Sequence, residues 1–253
     1  MRVDLNADVG ESFGAYSIGH DSGLMKVITS ASIAAGFHGG DPSVLRHTIR
    51  LAKSSGVAIG AHPGFPDLAG FGRRDMQVSP HEAEDLVLYQ IAVVAGVAST
   101  EGMRLQHVKP HGAMYNMAAR DEVLASAIAK AVAAFDRQLI LFGPPDSALT
   151  RAGQAAGLRV VAEGFADRAY EPDGSLVSRT KPGAVVKDPE EVVKRAVRIA
   201  REHTVAAVNG STISLNVETL CVHGDTEGSD VLGARLRAGL EAGGITVQSL
   251  MRT

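Results

Sequence analysis

Residues 31–63 read ASIAAGFHGGDPSVLRHTIRLAKSSGVAIGAHP, and they decide the fold because a strand, a helix and a second strand follow one another. The runs 31–38 and 57–63 are short and mostly apolar, which is typical of parallel strands covered on both faces. Between them, Asp41 offers a capping carboxylate directly before a proline, which predicts a helix over 42–55. This order favours parallel strands joined by helices.

The same alternation extends along the rest of the chain. Further strands are predicted at 1–8, 104–111, 138–143, 159–165 and 219–225, and further helices near 80–101, 121–135, 146–157, 188–203 and 229–242. Seven strands joined by helices favour an α/β fold with a parallel sheet, either open or closed into a barrel. Residues 205–217 are predicted to hold an extra strand or a hairpin. No linker composition divides the chain, so 1–253 is predicted to be a single domain.

Composition excludes several classes of protein. The chain has 25 Lys and Arg against 28 Asp and Glu, so it lacks the positive excess of a nucleic-acid binder. Its single cysteine, Cys221, excludes an internal disulfide framework and a multi-cysteine metal site. No run approaches the roughly 18 consecutive apolar residues of a membrane span. The N-terminus lacks the apolar run of a signal peptide, so we expect a soluble cytoplasmic protein without a membrane or nucleic-acid partner.

Polar side chains gather where the predicted strands end. They are Asn6, Asp8, His38, His62, Lys109, His111, Glu163, Asp167, His223 and Asp225. Ligands of parallel α/β sheets and barrels bind at the carboxyl ends of the strands. Four histidines on four strands, together with two aspartates, are hard to explain as independent packing choices. We therefore expect a functional site at this end of the sheet.

The chemistry of this cluster has more than one interpretation. Asp8, His62 and His111 are candidates for holding a divalent metal that polarises a carbonyl group or activates water. The same groups without a metal are able to act as general base and acid near neutral pH. Lys109 beside His111 is suited to stabilise an oxyanion or a phosphoryl oxygen. His38, in GFHGGD, is equally explained by hydrogen bonding to its glycine turn.

Three long irregular segments, 9–29, 64–79 and 166–187, follow the carboxyl ends of predicted strands. Loops of this length in compact domains are usually functional or disordered, and their glycines, prolines and arginines favour ordered loops that face a ligand. Beside the strand ends, three arginines are candidates for binding an anion: Arg73 and Arg74 in GFGRRD and Arg168 in FADR.

Sequence motifs for known phosphate and nucleophile sites are absent or incomplete. Neither GxxxxGK[ST] nor GxGxxG occurs, so no P-loop and no dinucleotide fingerprint is predicted. Residues 10–14, GESFG, match GxSxG, but a nucleophile elbow requires a helix directly after the serine, and the following residues do not form a helical pattern. A glycine-rich turn beside the strand end is the better interpretation.

Several segments of the sequence, taken together, resemble those of a known family. The matching segments are DLNADVGESFG (4–14), AAGFHGGD (34–41), GAHPGFPDLAGFGRR (60–74), VKPHGAMYN (108–116), EGFADRAY (163–170), LVSR (176–179) and CVHGDT (221–226). They run in order over nearly the whole chain and resemble the LamB/YcsF family. The resemblance implies a parallel, seven-stranded, irregular TIM-like barrel of the glycoside hydrolase/deacetylase-like kind.

The resemblance also implies an activity, the ATP-dependent opening of 5-oxo-L-proline to L-glutamate, with ATP converted to ADP and phosphate. Members work as the A component of 5-oxoprolinase with two further subunits, B and C, and a homo-oligomer is compatible with this. The expected catalytic residues are Asp8, His62, Lys109, His111 and His223. The expected substrate- and phosphate-binding residues are Asn6, His38, Arg73, Arg74, Glu163, Asp167, Arg168 and Asp225. ATP is the expected co-substrate, and a divalent metal is compatible with the same residues.

Two other functions remain open on the sequence. One is a metal-dependent amide hydrolase or deacetylase that uses the same strand-end side chains without ATP. The other is a non-catalytic subunit whose pocket only holds a small carboxylate.

Overall fold

The computed structural model describes residues 1–225 and 228–250, so Thr226 of the CVHGDT motif lies outside the described residues. Its strands are β1 (Arg2–Val9), β2 (Ser30–Ala34), β3 (Ala58–His62), β4 (Leu105–Val108), β5 (Ile140–Gly143), β6 (Arg159–Phe165), β7 (Thr204–Ala206), β8 (Thr212–Ser214), β9 (Thr219–Val222) and β10 (Thr246–Val247). Its helices are α1 (Asp21–Leu24), α2 (Pro42–Ser55), α3 (Pro80–Thr100), α4 (Gly112–Ala118), α5 (Glu122–Phe135), α6 (Ala148–Ala155), α7 (Pro189–Glu202) and α8 (Ser229–Ala242).

Seven parallel strands close into a barrel in the order β1-β2-β3-β4-β5-β6-β9, because β9 pairs both with β6 and with β1. At the closure, Asn6 of β1 lies opposite Cys221 of β9 on one side and Ser30 of β2 on the other. The expected seven-stranded, TIM-like barrel is thereby confirmed. The short β10 pairs with β1 at its amino end, and β7 and β8 form the hairpin predicted within 205–217.

Along β1, successive side chains point alternately to the inside and the outside of the barrel. Asp4, Asn6 and Asp8 share one side, whereas the apolar residues between them pack into the main core under the helices. Asp4 accepts hydrogen bonds from Thr29, Ser30 and Thr219, so its buried carboxyl group is well supported. Burial outweighs these bonds and raises its pKa.

Three predicted strands end several residues earlier than expected, which corrects the bounds 31–38, 104–111 and 219–225. The strand β2 ends at Ala34, β4 at Val108 and β9 at Val222, so His38, His111 and His223 lie after the strands. For β2 and β4 the physical reason is local: Gly36 adopts a positive φ of 97°, and Pro110 lacks the N–H that a ladder requires. The helices α1 and α4 were not predicted at all.

The helix starts follow their capping signals. Asp41 accepts hydrogen bonds from the backbone of the first turn of α2, and Ser79 and Glu82 form a capping box at α3. Within the described residues, α3 is long and apolar enough to cross a membrane by length and composition. It buries residues such as Val87 and Ile91 completely against its neighbours, whereas 33% of the apolar window as a whole is buried.

Candidate active site

A cavity of about 570 Å³ opens at the carboxyl ends of the barrel strands. Residues of the loops 64–79 and 166–187, which the sequence predicts to face a ligand, form part of its wall. Its volume suits a small molecule, because ligand pockets usually measure roughly 300–1,000 Å³. The predicted site residues that line it are Asp8, His62, Arg73, Lys109, His111, Glu163, Arg168 and His223.

The Lys109 ammonium group is the centre of the buried polar network at the base of this cavity. Its Nζ lies 2.6 Å from Asp8 Oδ1 and 2.9 Å from Glu163 Oε1. It also donates to Asn6 Oδ1 at 2.8 Å. Burial lowers the pKa of this ammonium, but the negative charges of Asp8 and Glu163 outweigh burial and raise the pKa well above its ordinary value. Lys109 is therefore a cation that holds two carboxylates.

The Asp8 carboxylate, near the end of β1, is held as an anion. Burial raises the pKa of this carboxyl group, but the interactions with His62 and Lys109 outweigh burial and bring the pKa well below its ordinary value. Its Oδ1 lies 3.4 Å from His62 Nε2, so one carboxylate faces both the ammonium and an imidazole. A fixed anion at this position is able to accept a proton or to face a bound cation.

The imidazoles of His62 and His111 meet edge to face at a ring separation of 4.9 Å. His62 Nδ1 lies 2.6 Å from the carbonyl oxygen of Lys109, and His111 Nε2 lies 2.8 Å from that of Phe71. The other two nitrogens, His62 Nε2 and His111 Nδ1, face each other at 3.1 Å. Burial lowers the pKa of His111, and the neighbouring imidazoles lower it further, so this ring is neutral.

Glu11 is a site residue that the sequence reasoning missed. Its side chain is 3% exposed, and Oε1 lies 3.4 Å from His38 Nε2 and 3.5 Å from His111 Nδ1. Burial raises its pKa well above the ordinary value, and the nearby Asp8 carboxylate raises it further. Glu11 belongs to the same DLNADVGESFG segment as Asp8, and its place three residues after that aspartate was the available signal.

The glycines around His38 bring its loop onto the turn that carries Glu11. A Cβ atom at Gly39 would lie 2.6 Å from the carbonyl oxygen of Glu11, so only glycine allows this approach. The His38 ring then stacks on His111 with a centroid distance of 3.8 Å and an angle of 1° between the planes. Burial lowers the pKa of His38, which keeps the stacked ring neutral.

His223 and Asp167 form a second polar pair on the cavity wall. His223 Nδ1 lies 2.8 Å from Asp167 Oδ2, and the imidazole stacks on Phe165 at 5.4 Å. Burial raises the pKa of Asp167, but the interaction with His223 outweighs it and lowers the pKa. A carboxylate bound to one ring nitrogen fixes the orientation of the imidazole, as in hydrolases that use histidine as a general base.

The three candidate arginines have different surroundings. Arg73 reaches the cavity and pairs with Asp225 at 2.6 Å. Arg74 pairs with Asp67 and is not among the described residues that line the cavity. Arg168 lines the cavity, but its buried guanidinium donates to carbonyl oxygens of Val177 and Ala184 and so holds the loop 166–187 together. Burial lowers the pKa of Arg168 to about 10.

Tyr115 of α4 is a second residue that the sequence reasoning missed. Its ring lies edge-on to Phe165 at 6.1 Å, and it lines the cavity with only 4% of its surface exposed. Burial raises the pKa of its hydroxyl group, and the interaction with Glu163 raises it further. The VKPHGAMYN segment carried this tyrosine, but α4 was not predicted, so its direction toward the cavity was not available from sequence.

Among the described residues, two groups of buried side chains are able to hold a metal ion: Glu11, His38, His62 and His111, and Asp8, Cys221 and His223. Within each group the ligand atoms lie within 4.8 Å of one another. Neither ring nitrogen of His38 makes a hydrogen bond within the part of the chain that the structure describes. Imidazoles with a carboxylate are the donors that catalytic zinc sites use, so Glu11, His62 and His111 of the first group fit a divalent ion.

Comparison with known proteins identifies the family. The model of the LamB/YcsF family matches residues 3–253. This chain belongs to the LamB/YcsF family. One relative, the A component of 5-oxoprolinase from Chloroflexus aggregans, is 53% identical over 249 residues, which cover 98% of this chain and 99% of that protein. The solved lactam utilization protein from Thermus thermophilus has a TM-score of 0.94 at 46% identity, covering 99% of this chain and all of that one.

A more distant structure shares the fold of this LamB/YcsF protein. The family 4 carbohydrate esterase from Streptomyces lividans has a TM-score of 0.51 at 11% identity, covering 99% of this chain and 93% of that one. At this identity the likeness shows the fold alone. It agrees with the deacetylase-like barrel that the sequence predicts.

The predicted site residues of this LamB/YcsF chain fall into three sets. Around Lys109 lie Asn6, Asp8 and Glu163. Around His111 lie His38 and His62, with Glu11 added by the structure. On the cavity wall, His223 pairs with Asp167, and Arg73 pairs with Asp225.

Proposed function

We propose that this protein is the A component of a 5-oxoprolinase. Together with subunits B and C it would hydrolyse the lactam of 5-oxo-L-proline to L-glutamate while ATP is converted to ADP and phosphate. The observation that carries the proposal is the similarity over 98% of the chain to a protein named as the A component of 5-oxoprolinase. The resemblance of its motifs to the family supports the same substrate.

The cavity supports a small, polar substrate. A five-membered lactam with one carboxylate fits easily within about 570 Å³. Cationic side chains at the cavity, Arg73, Arg179 and Lys181, are suited to attract that carboxylate or a phosphoryl group. Arg73 is the strongest candidate, because its partner Asp225 already shows that it binds a carboxylate in this orientation.

His223 is our candidate for the general base. Asp167 holds its Nδ1, so Nε2 is the nitrogen left to take a proton from water as the water attacks the lactam carbon. The resulting imidazolium would return that proton to the ring nitrogen of the substrate when the carbon–nitrogen bond breaks. Asp167 stabilises this imidazolium, as the buried aspartate does in hydrolases of the serine type.

Lys109 is our candidate for stabilising charge on the substrate oxygen. Its ammonium group lines the cavity and stays protonated, so it is suited to interact with negative charge that develops as the carbonyl group is attacked. Transfer of a phosphoryl group from ATP to the lactam oxygen would activate the same carbon, and Arg73 is placed to meet that phosphoryl group. After the first water attacks this carbon, cleavage of the carbon–nitrogen bond would open the ring and leave a glutamyl phosphate. A second water molecule would then hydrolyse this acyl phosphate to glutamate and phosphate.

The group of Glu11, His62 and His111 completes the proposed machinery. A divalent ion held there would polarise a carbonyl group or lower the pKa of a water molecule. The three side chains orient one another next to Asp8, which keeps its negative charge toward the cavity.

The decisive experiment measures ADP release with the purified chain, subunits B and C, ATP and 5-oxoproline. We expect release that depends on 5-oxoproline and on all three proteins. His223→Gln and His111→Ala should remove turnover while the fold, followed by circular dichroism, is retained. His81→Ala is the matched control, because this exposed histidine on α3 pairs with Asp85 in the same helix. Full turnover in His223→Gln and His111→Ala would contradict the proposed site.

A second candidate function is a metal-dependent amide hydrolase or deacetylase that works without ATP. The specific observation in its favour is the buried cluster of imidazoles and a carboxylate at the barrel mouth. It predicts hydrolysis by the chain alone, with a divalent ion and without nucleotide. Unchanged turnover of the complex after removal of the cluster would instead favour a non-catalytic, carboxylate-binding subunit.

Three further expectations accompany the proposed function. We expect the protein in the cytoplasm, where a nucleotide-dependent enzyme finds its ATP. We expect residues 1–253 to fold as a single domain, with a homo-oligomer compatible with it. Size-exclusion chromatography with light scattering measures the oligomeric state of the isolated chain.

A further inference from the structure

The backbone fixes which nitrogen of each facing imidazole is free of a proton. A carbonyl oxygen only accepts hydrogen bonds, so His62 Nδ1 donates to Lys109 and His111 Nε2 donates to Phe71. In neutral rings the remaining nitrogens, His62 Nε2 and His111 Nδ1, therefore both carry lone pairs. They face each other at 3.1 Å, where two lone pairs repel unless a cation lies between them.

The distances match ligands of one metal ion. Two ligands at 2.0–2.1 Å from a tetrahedral zinc ion lie about 3.3 Å apart. The two imidazole nitrogens are 3.1 Å apart, and Glu11 Oε1 lies 3.5 Å from His111 Nδ1. The two rings cross at 86°, so one ion is able to lie in the plane of both imidazoles, as metal ligation requires.

His38 is excluded as a ligand by its ring plane. It lies parallel to His111 at 3.8 Å, so an ion in the plane of His111 lies well outside the plane of His38. His38 Nε2 instead lies 3.4 Å from Glu11 Oε1 and is placed to orient that carboxylate. Residues that orient a metal ligand in this way are positioning residues, and their loss typically weakens metal binding about 10–100-fold.

The open side of the site faces the cavity. His62, His111 and Asp8 line the cavity, whereas Glu11 and His38 lie behind them and are not among its described lining residues. Asp8 Oδ1 lies 3.4 Å from His62 Nε2 but is already paired with Lys109 at 2.6 Å. The three-ligand set of two histidines and one glutamate, with an open fourth position, is typical of catalytic zinc sites.

We propose that Glu11, His62 and His111 bind one divalent transition-metal ion of the zinc class, with His38 positioning Glu11 and the fourth coordination position open toward Asp8. Imidazole nitrogens favour zinc, nickel and other first-row transition metals over magnesium or calcium. Any part that this ion takes in opening a lactam rests on the proposed function, whereas ion binding stands on the geometry of these side chains alone.

The test uses the full chain without partner proteins, nucleotide or 5-oxoproline, so it is independent of the proposed reaction. The chain is freed of metal with a chelator, dialysed and titrated with Co²⁺ alone. We expect one equivalent to bind, with the visible absorption of four- or five-coordinate cobalt, and Zn²⁺ to displace it. Glu11→Gln should weaken binding at least about 100-fold, and His38→Gln about 10–100-fold.

The control variant is His81→Ala, which removes an exposed histidine–aspartate pair that is itself able to attract ions from solution. It should bind Co²⁺ as the unmodified chain does. Less than one equivalent of Co²⁺ in the unmodified chain, or equal affinity in Glu11→Gln, would overturn the proposal. If the variants fail to fold, ¹⁵N spectra of the histidines in the unmodified chain test the proposal instead. Binding of Zn²⁺ must then shift the ¹⁵N resonances of His62 Nε2 and His111 Nδ1. Spectra that show a proton shared by these two nitrogens, unchanged by Zn²⁺, would assign the contact to a hydrogen bond.

Discussion

The buried ammonium group of Lys109 allows a quantitative prediction for the variant Lys109→Met. Methionine fills most of the volume but removes the charge that lies 2.6 Å from Asp8 Oδ1 and 2.9 Å from Glu163 Oε1. Two charge-assisted hydrogen bonds, each worth about 1.5–3 kcal/mol, are lost. Measured losses on removing one partner of a buried ion pair are about 3–5 kcal/mol, so we expect the free energy of unfolding to fall by about 3–5 kcal/mol.

A second substitution tests whether the loss comes from unpaired carboxylates. In Lys109→Met with Glu163→Gln, one of the two anions is also removed, and the glutamine amide is able to pair with Asn6. We expect this double variant to recover about 1–3 kcal/mol, the range of coupling between residues in contact. Lys130→Met, at an exposed position of α5, is the control and should stay within about 0.5 kcal/mol of the unmodified chain.

Urea unfolding followed by circular dichroism measures these differences, with the slope m checked for each variant. Two results would refute the electrostatic reasoning. One is a Lys109→Met chain whose free energy of unfolding lies within about 1 kcal/mol of the original. The other is a double variant that is less stable than Lys109→Met, which would mean that packing, and not unpaired charge, dominates.

Substitutions at Gly60, His107 and Asp41 should also change the stability of the protein. Gly60→Ala would place a Cβ in collision with the ring of His107, so we expect the free energy of unfolding to fall by about 1–3 kcal/mol in thermal unfolding. The substitution His107→Ala in the same chain should partly relieve this collision. Burial, with a contribution from Lys109, lowers the pKa of His107 to about 3, whereas the unfolded chain has about 6.5. The unfolded state therefore binds the extra proton, and stability should fall by up to about 1.4 kcal/mol per pH unit as pH drops from about 6.5 to 3; His107→Gln should flatten that part of the curve. Asp41→Ala removes the cap of α2 and the bond from Gly14 N–H, which should cost about 1–2 kcal/mol, and an unchanged melting temperature would contradict this.

Much of the fold was predictable because its signals are local. Apolar runs bounded by glycine or proline marked the seven barrel strands, and Asp41 marked the start of α2, which the structure confirms. The helix α4 escaped prediction because it begins at Gly112, which has a positive φ of 52° and lacks the usual capping signal. Pairing of the distant strands β1 and β9 leaves no local pattern, so the alternation of strands and helices left the sheet either open or closed. Only the resemblance to the LamB/YcsF family implied the closed barrel.

The sequence gathered many of the side chains that line the cavity, but it did not predict which of them pair. Alternation along β1 placed Asn6 and Asp8 on one side, and the strand-end rule gathered the histidines. Glu11 was missed because it follows the strand in a turn whose direction depends on the approach of Gly39. The burial of Arg168 was also not predicted, because a charged residue in a loop is normally exposed. Its guanidinium is buried under its own loop and donates to two carbonyl oxygens.

The pairing of β1 with β9 has a consequence for folding. Asn6 donates to Thr219 across 213 positions of sequence, and Asp4 accepts from the same threonine. During synthesis, almost the whole chain must be made before the polar side chains of β1 are able to bond to Thr219. Contacts between residues so far apart in sequence form slowly. Until then β1 has its barrel neighbour β2 on one side only, and Asp4 and Asn6 lack the hydrogen bonds to Thr219 of β9. The polar network is thus complete only in a barrel whose first and last strands have met.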